Sequence, residues 1–314
     1  MLNLFRNFKL PLALIAVLAF SAATLTQTKA DPSQVPVTVT VTALASNFKS
    51  PPPIAQEDVS AYSGSNRLDI TKWVRAQGSE SDLQLAILID NDLGPVMLGR
   101  NIQDLENFIN SQSPSTAVGV FYAENGSATP IANFTTNHSQ AANAIRLTEG
   151  RQGASPSIYL SLTDLVRHWP SSSTGTRREA LVIASGFDPL YPGIQDPYAS
   201  SAVTSAEKAG VDVHVIMVPR GRYAQTFVDN ISEGKLIDVT NGSGGQVLFE
   251  GAFVPVSLSP FLQELNSTLN NQYLLTFNIA RSGRPGGELR PLRVSAEESG
   301  VKLYAPQEVL VPGS

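Results

Sequence analysis

The chain has 314 residues, is 42% hydrophobic and carries a formal charge of −5. That hydrophobic share supplies a sizeable core, and the length allows more than one structural unit. The mild acidity, with no run of Lys or Arg, argues against a nucleic-acid surface, and the absence of cysteine removes thiol nucleophiles and Cys-based metal centres.

Residues 1–30 have the three parts of a secretory signal: basic Arg6 and Lys9, an apolar core over 10–25, and Thr28 and Ala30 before a cut ahead of Asp31. An uncleaved anchor is the alternative reading, but the apolar core is short for a span. After cleavage no second long apolar run remains, so the sequence predicts a protein with no membrane span, in a bacterial periplasm or secreted; the lack of disulfides fits that compartment.

Residues 31–80 read as a small β segment. "PVTVTVTA" (36–43) alternates Val with Thr, "SPPPIAQ" (50–56) is a proline-rich turn, and "EDVSAYSGSNRLDITKWVRA" (57–76) reads as two strands around Ser-Gly-Ser-Asn. The texture changes at "LQLAILI" from Leu83, a continuous apolar run expected of a strand covered on both faces. A helix over 94–112, a strand over 116–124, an edge strand in "TPIANFTTN" and helices in "SQAANAIRLT" and 157–169 follow. Buried strands at 179–187 and 211–219 flank a helix over 196–210 that Gly210 closes. "LIDVTNGSGGQVLFE" reads as a short helix, a Gly-rich turn and a strand, and a last helix covers 259–272.

This alternation predicts an α/β fold over 81–272, a doubly wound, mostly parallel sheet. Residues 273–314 return to β texture in "YLLTFNIA", "LRPLRVSAE" and "VKLYAPQEVLV", which are expected to pack with the N-terminal β segment. "GSGG" (242–245) leads into a strand, the wrong polarity for a phosphate loop, and reads as a structural turn.

Ligands of open α/β sheets sit at the carboxyl ends of the strands. Asp90 and Asp92 follow the first apolar strand, Ser185, Gly186 and Asp188 follow the next buried one, and the loop 149–157 enters a helix nearby. The acids could hold a cation, or Asp92 or Asp188 could cap the helix that follows. Of three histidines, His138 lies in a polar loop and His168 at a helix C-terminus, while His214 reads as a hydrogen-bonded core residue.

In order, these loops resemble the von Willebrand factor type A (vWA) family, and the β flanks resemble secreted bacterial, acidobacterial-type vWA-related proteins. The family carries D-x-S-x-S, a Thr loop and an Asp-Gly loop around a magnesium-type ion. Asp90 matches the first Asp; Asp92 and Gly94 stand where the serines belong, Pro156 falls on the Thr between Ser155 and Ser157, and Ser185 replaces the last Asp before Gly186. The resemblance therefore implies a degenerate metal-ion-dependent adhesion site. Its ligand candidates are Asp90, Asp92, Ser155, Ser157, Ser185 and Asp188, for magnesium or calcium if any ion is held. It also implies a non-enzymatic adhesion or protein-binding role, with an unidentified protein partner reached through loops 90–96, 150–157 and 185–195. Phe187, Tyr191 and Tyr198 in the stretch "GFDPLYPGIQDPY" (186–198) suit recognition.

"AILIDNDLG" also resembles the first motif of haloacid-dehalogenase-like phosphatases, with Asp90 as nucleophile and Asp92 as acid and base. Gly94 replaces that motif's Thr, and "VHVIMVPRGRY" lacks the family's final acidic pair.

Overall fold

The structure, a computed structural model, describes residues 33–45, 51–148, 157–170, 175–218, 227–250 and 254–313. The signal expected over 1–30, with Thr28 and Ala30, lies outside the described residues. In chain order the described residues form β1 (Gln34–Ala45), β2 (Val59–Ser63), β3 (Asn66–Arg67), β4 (Asp69–Arg75), β5 (Leu83–Asp90), α1 (Pro95–Asn110), β6 (Thr116–Glu124), β7 (Ser127–Thr135), α2 (His138–Asn143) and α3 (Ile158–Arg167). They continue with β8 (Arg177–Ala184), α4 (Pro197–Ala209), β9 (Asp212–Met217), α5 (Phe227–Ser243), β10 (Val247–Glu250), α6 (Ser259–Asn270), β11 (Gln272–Ala280), β12 (Glu288–Pro291), β13 (Arg293–Ala296), β14 (Val301–Tyr304) and β15 (Glu308–Val311).

The main sheet has the order β10-β9-β8-β5-β6-β7. Every neighbouring pair is parallel except β6–β7, so an antiparallel edge completes a doubly wound sheet. β5 lies between β6 and β8 in matched register, Ile87 facing both Val120 and Leu181. Because side chains alternate along a strand, β5 feeds two cores. Leu85, Ile87 and Ile89 pack with Leu98, Leu105 and Ile109 of α1 and Leu262 and Leu265 of α6. Ala86 and Leu88 pack with Tyr159 and Leu162 of α3, Ala202 and Ala206 of α4, and Val239 of α5. Fully burying each Leu or Ile contributes about 1.5–3 kcal/mol.

The topology reverses between β5 and β8. One connection from β5 leads to β6 and the other half of the sheet starts at β8, which opens a crevice at their carboxyl ends. Asp90 ends β5 and Ser185 follows β8, so both stand at that crevice.

The chain ends meet in a second set of sheets. β1 pairs antiparallel with β11 and β14, giving the order β14-β1-β11-β4; β13 pairs with β2, and β12 with β15. The Ser-Gly-Ser-Asn turn does make a hairpin, but only β3 returns beside β2, and from Asp69 the chain crosses to the other sheet as β4. "LRPLRVSAE", read as one strand, is likewise two. β12 stops at Pro291, and Leu292 donates to the Gln307 carbonyl before β13 joins β2.

A buried polar network joins the two sheet systems. Gln272 of β11 donates to Glu179 Oε1 of β8 at 2.9 Å and to Thr42 of β1 at 3.2 Å, while Arg177 donates to Gln272 Oε1 at 2.6 Å. His214 Nε2 lies 2.8 Å from Glu179 Oε2, and its Nδ1 accepts from the Gln246 N–H at 3.1 Å. The accepting Nδ1 places the ring proton on Nε2, facing the carboxylate. His214 is therefore a core hydrogen-bonding residue, as its strand position implies.

Candidate functional site

The loop after β5 is a single 3-10 turn over Asn91–Leu93. Asp90 caps it, accepting from the Asp92 N–H at 3.0 Å. Gly94 then takes φ +76, a left-handed conformation that suits glycine, and Pro95 opens α1. The side chain that caps this turn is thus Asp90, and the N-cap of α1 is Gly94. Asn91 donates to Glu124 at the end of β6 at 3.0 Å, and Glu124 is paired with Arg146 at 2.9 Å. Arg146 also lies over the Tyr122 ring, and the Tyr122 hydroxyl donates to the Arg146 carbonyl. These contacts bring the segment approaching α3 to the same end of the sheet.

Ser157 is the N-cap of α3; its hydroxyl accepts from the Leu160 N–H at 3.4 Å and donates to Asp188 Oδ2. Asp188 is fully buried, and its Oδ1 accepts from the Leu190 N–H at 2.8 Å, a turn of its own loop rather than a helix cap. Ser185 makes a similar local turn with the Phe187 N–H at 3.3 Å. Tyr159 donates to the Gly186 carbonyl at 2.9 Å, so α3 holds the loop after β8 at two points. Burial first, then the charges of Asp196, Asp188, Asp238 and Asp90, push the Tyr159 phenol well above its usual range, and it stays a neutral donor. Gly186 has no room for a side chain: a Cβ there would lie 2.6 Å from Leu236 Cδ1 and 2.7 Å from the Ser232 carbonyl.

The structure therefore brings Ser157 and Asp188 into contact and sets Asp90 and Ser185 on adjacent strand ends. Ser155 and Pro156, like the rest of 149–156, lie outside the described residues. Among the described residues no three carboxylate or imidazole groups are grouped to hold a metal ion. Asp90, Ser157, Ser185 and Asp188 are each engaged in local hydrogen bonds.

Two residues of this region escape a reading of the sequence for metal ligands. Asp196 caps α4, accepting from the Tyr198 and Ala199 N–H groups at 2.9 and 3.1 Å, and pairs with buried Lys235 of α5 at 2.9 Å. Lys235 also donates to the Tyr191 carbonyl at 2.5 Å. The Asp-Pro pair at 196–197 is a recognisable helix start. Lys235 sits in "SEGKLID" and reads as a solvated charge.

The exposed large apolar side chains are carried by segments that connect the elements of the main sheet. Val96 follows β5, Leu190, Tyr191 and Ile194 follow β8, Phe227 follows β9, and Val254 and Val256 follow β10; Leu147 adjoins the Arg146–Tyr122 contact at the end of β6. All eight exposed large apolar residues among those described thus lie in or beside these connections, 37% to 86% exposed, with Tyr191 and Ile194 next to α4 and α5 and Val256 next to Ser257, which bonds Asp104 of α1.

No family profile and no curated protein matches the sequence. Solved structures with a similar course include an aerotolerance-related membrane protein of Bacteroides fragilis, 14% identical over 60% of this chain and 98% of that one, with a TM-score of 0.44. A manganese-loaded TRAP protein of Plasmodium vivax is 13% identical over 81% of this chain and 100% of that one, at a TM-score of 0.41. The ArnB paralog VWA2 of Sulfolobus acidocaldarius is 11% identical over 90% of this chain and 76% of that one, at 0.38. With TM-scores under 0.5 they carry no weight for the fold, which strand order and register establish directly.

Proposed function

We propose that this chain is an exported, non-catalytic vWA-type module that binds a partner protein through the loops at the carboxyl ends of its parallel strands. The observation that carries this reading is that the exposed large apolar side chains fall in the segments that follow the strands of the main sheet. Loops that carry exposed apolar side chains on a fixed scaffold are common sites of protein recognition. The ordered resemblance of the Asp90, Ser157 and Ser185 loops to the vWA family supports the family assignment, and the N-terminal signal pattern supports export. The local hydrogen bonds of Ser157 and Asp188 support contact through side chains without a bridging metal ion.

Capture from extracts of the source organism tests the face. The full chain, an Ile194→Asp/Phe227→Asp variant and a control Lys208→Glu variant at the other end of α4 are compared as baits. At least one protein is expected to be retained by the wild type and control and lost from the face variant. An identical set on all three contradicts the reading. The phosphatase alternative requires magnesium-dependent turnover of p-nitrophenyl phosphate that Asp90→Asn abolishes; this reading predicts none.

A further inference from the structure

The loop after β8 leaves a cavity between itself and the helices α4 and α5. Its volume is about 690 Å³, and Tyr191, Ile194, Ser200, Val203 and Asp238 line it. That size suits a side chain with its flanking residues, not a lone ion. The walls are built, not incidental. Tyr191 meets Tyr198 edge-on with ring centroids 5.1 Å apart, and Lys235 ties the Tyr191 carbonyl to Asp196 at the helix start.

The charge of the lining is one-sided. Asp196 and Lys235 neutralise each other at 2.9 Å. Asp238 is exposed and makes no ion pair or hydrogen bond with the described residues. An anionic side chain entering here would face Asp238 without a free cation among the described lining residues. A neutral apolar chain would use Ile194 and Val203 and leave Asp238 facing apolar surface. A cation on a long aliphatic stem answers both features: stem on Ile194 and Val203, head group toward Asp238 and Tyr191. Arginine suits this better than lysine, because its guanidinium is planar, less strongly hydrated and stacks on aromatic rings.

We propose that this cavity is the anchor pocket for an arginine-bearing apolar segment of the partner protein. The proposal rests on the recognition face described above and names the partner chemistry that one part of it accepts. It predicts that the partner's contact segment pairs an arginine with a neighbouring large apolar residue.

The test is a two-dimensional ¹H–¹⁵N titration of the full chain with N-acetyl-Leu-Arg-amide, alongside N-acetyl-Leu-Glu-amide and N-acetyl-Leu-Leu-amide. The arginine probe should give saturable shifts at Tyr191, Ile194, Val203 and Asp238, with apparent affinity at least about tenfold above either other probe. Asp238→Asn should remove that preference while its remaining spectrum stays that of the wild type. No saturable shift at these residues, equal response to all three probes, or a preference that survives Asp238→Asn overturns the proposal. Capture that depends on Ile194 and Phe227 would then still stand, since those variants report on the face whatever enters the pocket.

Discussion

At the scale of the residue, two buried contacts hold the loops that follow β8 and enter α3. Ser157 caps α3 and donates to Asp188, so Ser157→Ala removes a helix cap and leaves a buried carboxylate oxygen without its donor. The expected cost is about 1–3 kcal/mol in urea denaturation, with unchanged m-value. Lys235→Met strands Asp196 in the interior without its ion partner. It should cost about 3–5 kcal/mol, and the double change Lys235→Met/Asp196→Asn should recover a substantial part, because the penalty is that of an unpaired buried charge. A double variant no more stable than Lys235→Met alone would show that Asp196 acts only as the cap of α4. Asp90, Asp188 and Ser185 were visible in the sequence as polar residues at strand ends. Their actual work as local turn and cap acceptors was not visible, because the sequence does not say which N–H a carboxylate will face.

At the scale of the element, β15 docks against α4 and creates a titrating contact. Burial, then repulsion from Glu308, raises the Glu207 carboxyl from 4.5 to about 7, while a hydrogen bond from the Glu308 backbone pulls the other way. Glu207 and Glu308 share a cleft of about 550 Å³ with Lys208, Asp212, Lys72 and Glu80. A carboxyl whose folded value is raised favours the folded state fully below about 4.5, and that contribution is lost as pH rises through about 7. The buried Asp212, raised well above its usual range by burial and by Glu179, adds a loss of the same sign. Wild-type stability should therefore fall between pH 4.5 and 7, and Glu207→Gln should flatten that fall by on the order of 1 kcal/mol, since water in the cleft screens the group. An unchanged slope in thermal melts across this window would refute the contact.

Legibility at this scale followed periodicity. β5, β8 and β9 are continuous apolar runs and α1 keeps its helical spacing, so all were readable before folding. α5 was not: it begins at Phe227, ahead of the short helix expected from Leu236, because its buried face carries Ser232 and Lys235 and interrupts the apolar pattern. Its far end explains "GSGG". The helix runs to Ser243, and a Cβ on Gly245 would lie 1.9 Å from the Val213 carbonyl, so glycine there permits the chain to pass against β9. The crossing of the flanking strands between sheets was also hidden, since nothing local distinguishes β3 from β4 or β12 from β13.

At the scale of the whole molecule, the two ends of the strands have different chemistry. At one end, β1 and β11 meet β8 through the Gln272–Glu179–His214 network and close the sheet with buried hydrogen bonds. At the other, loops that carry exposed Leu190, Tyr191 and Ile194 are fixed by Ser157, Tyr159 and Lys235. Among the described residues no helix is long and apolar enough to cross a membrane, so the apolar face is not part of such a span. A rigid frame with an apolar loop end is suited to recognition by preformed contacts. Hydrogen–deuterium exchange of the full chain, with and without the captured partner, tests this most directly. The account predicts slowed exchange in 91–96, 187–198 and 254–258, with β1 unchanged. Protection confined to β1, β4 and the cleft beside Glu207, with the loop end unaffected, would contradict it.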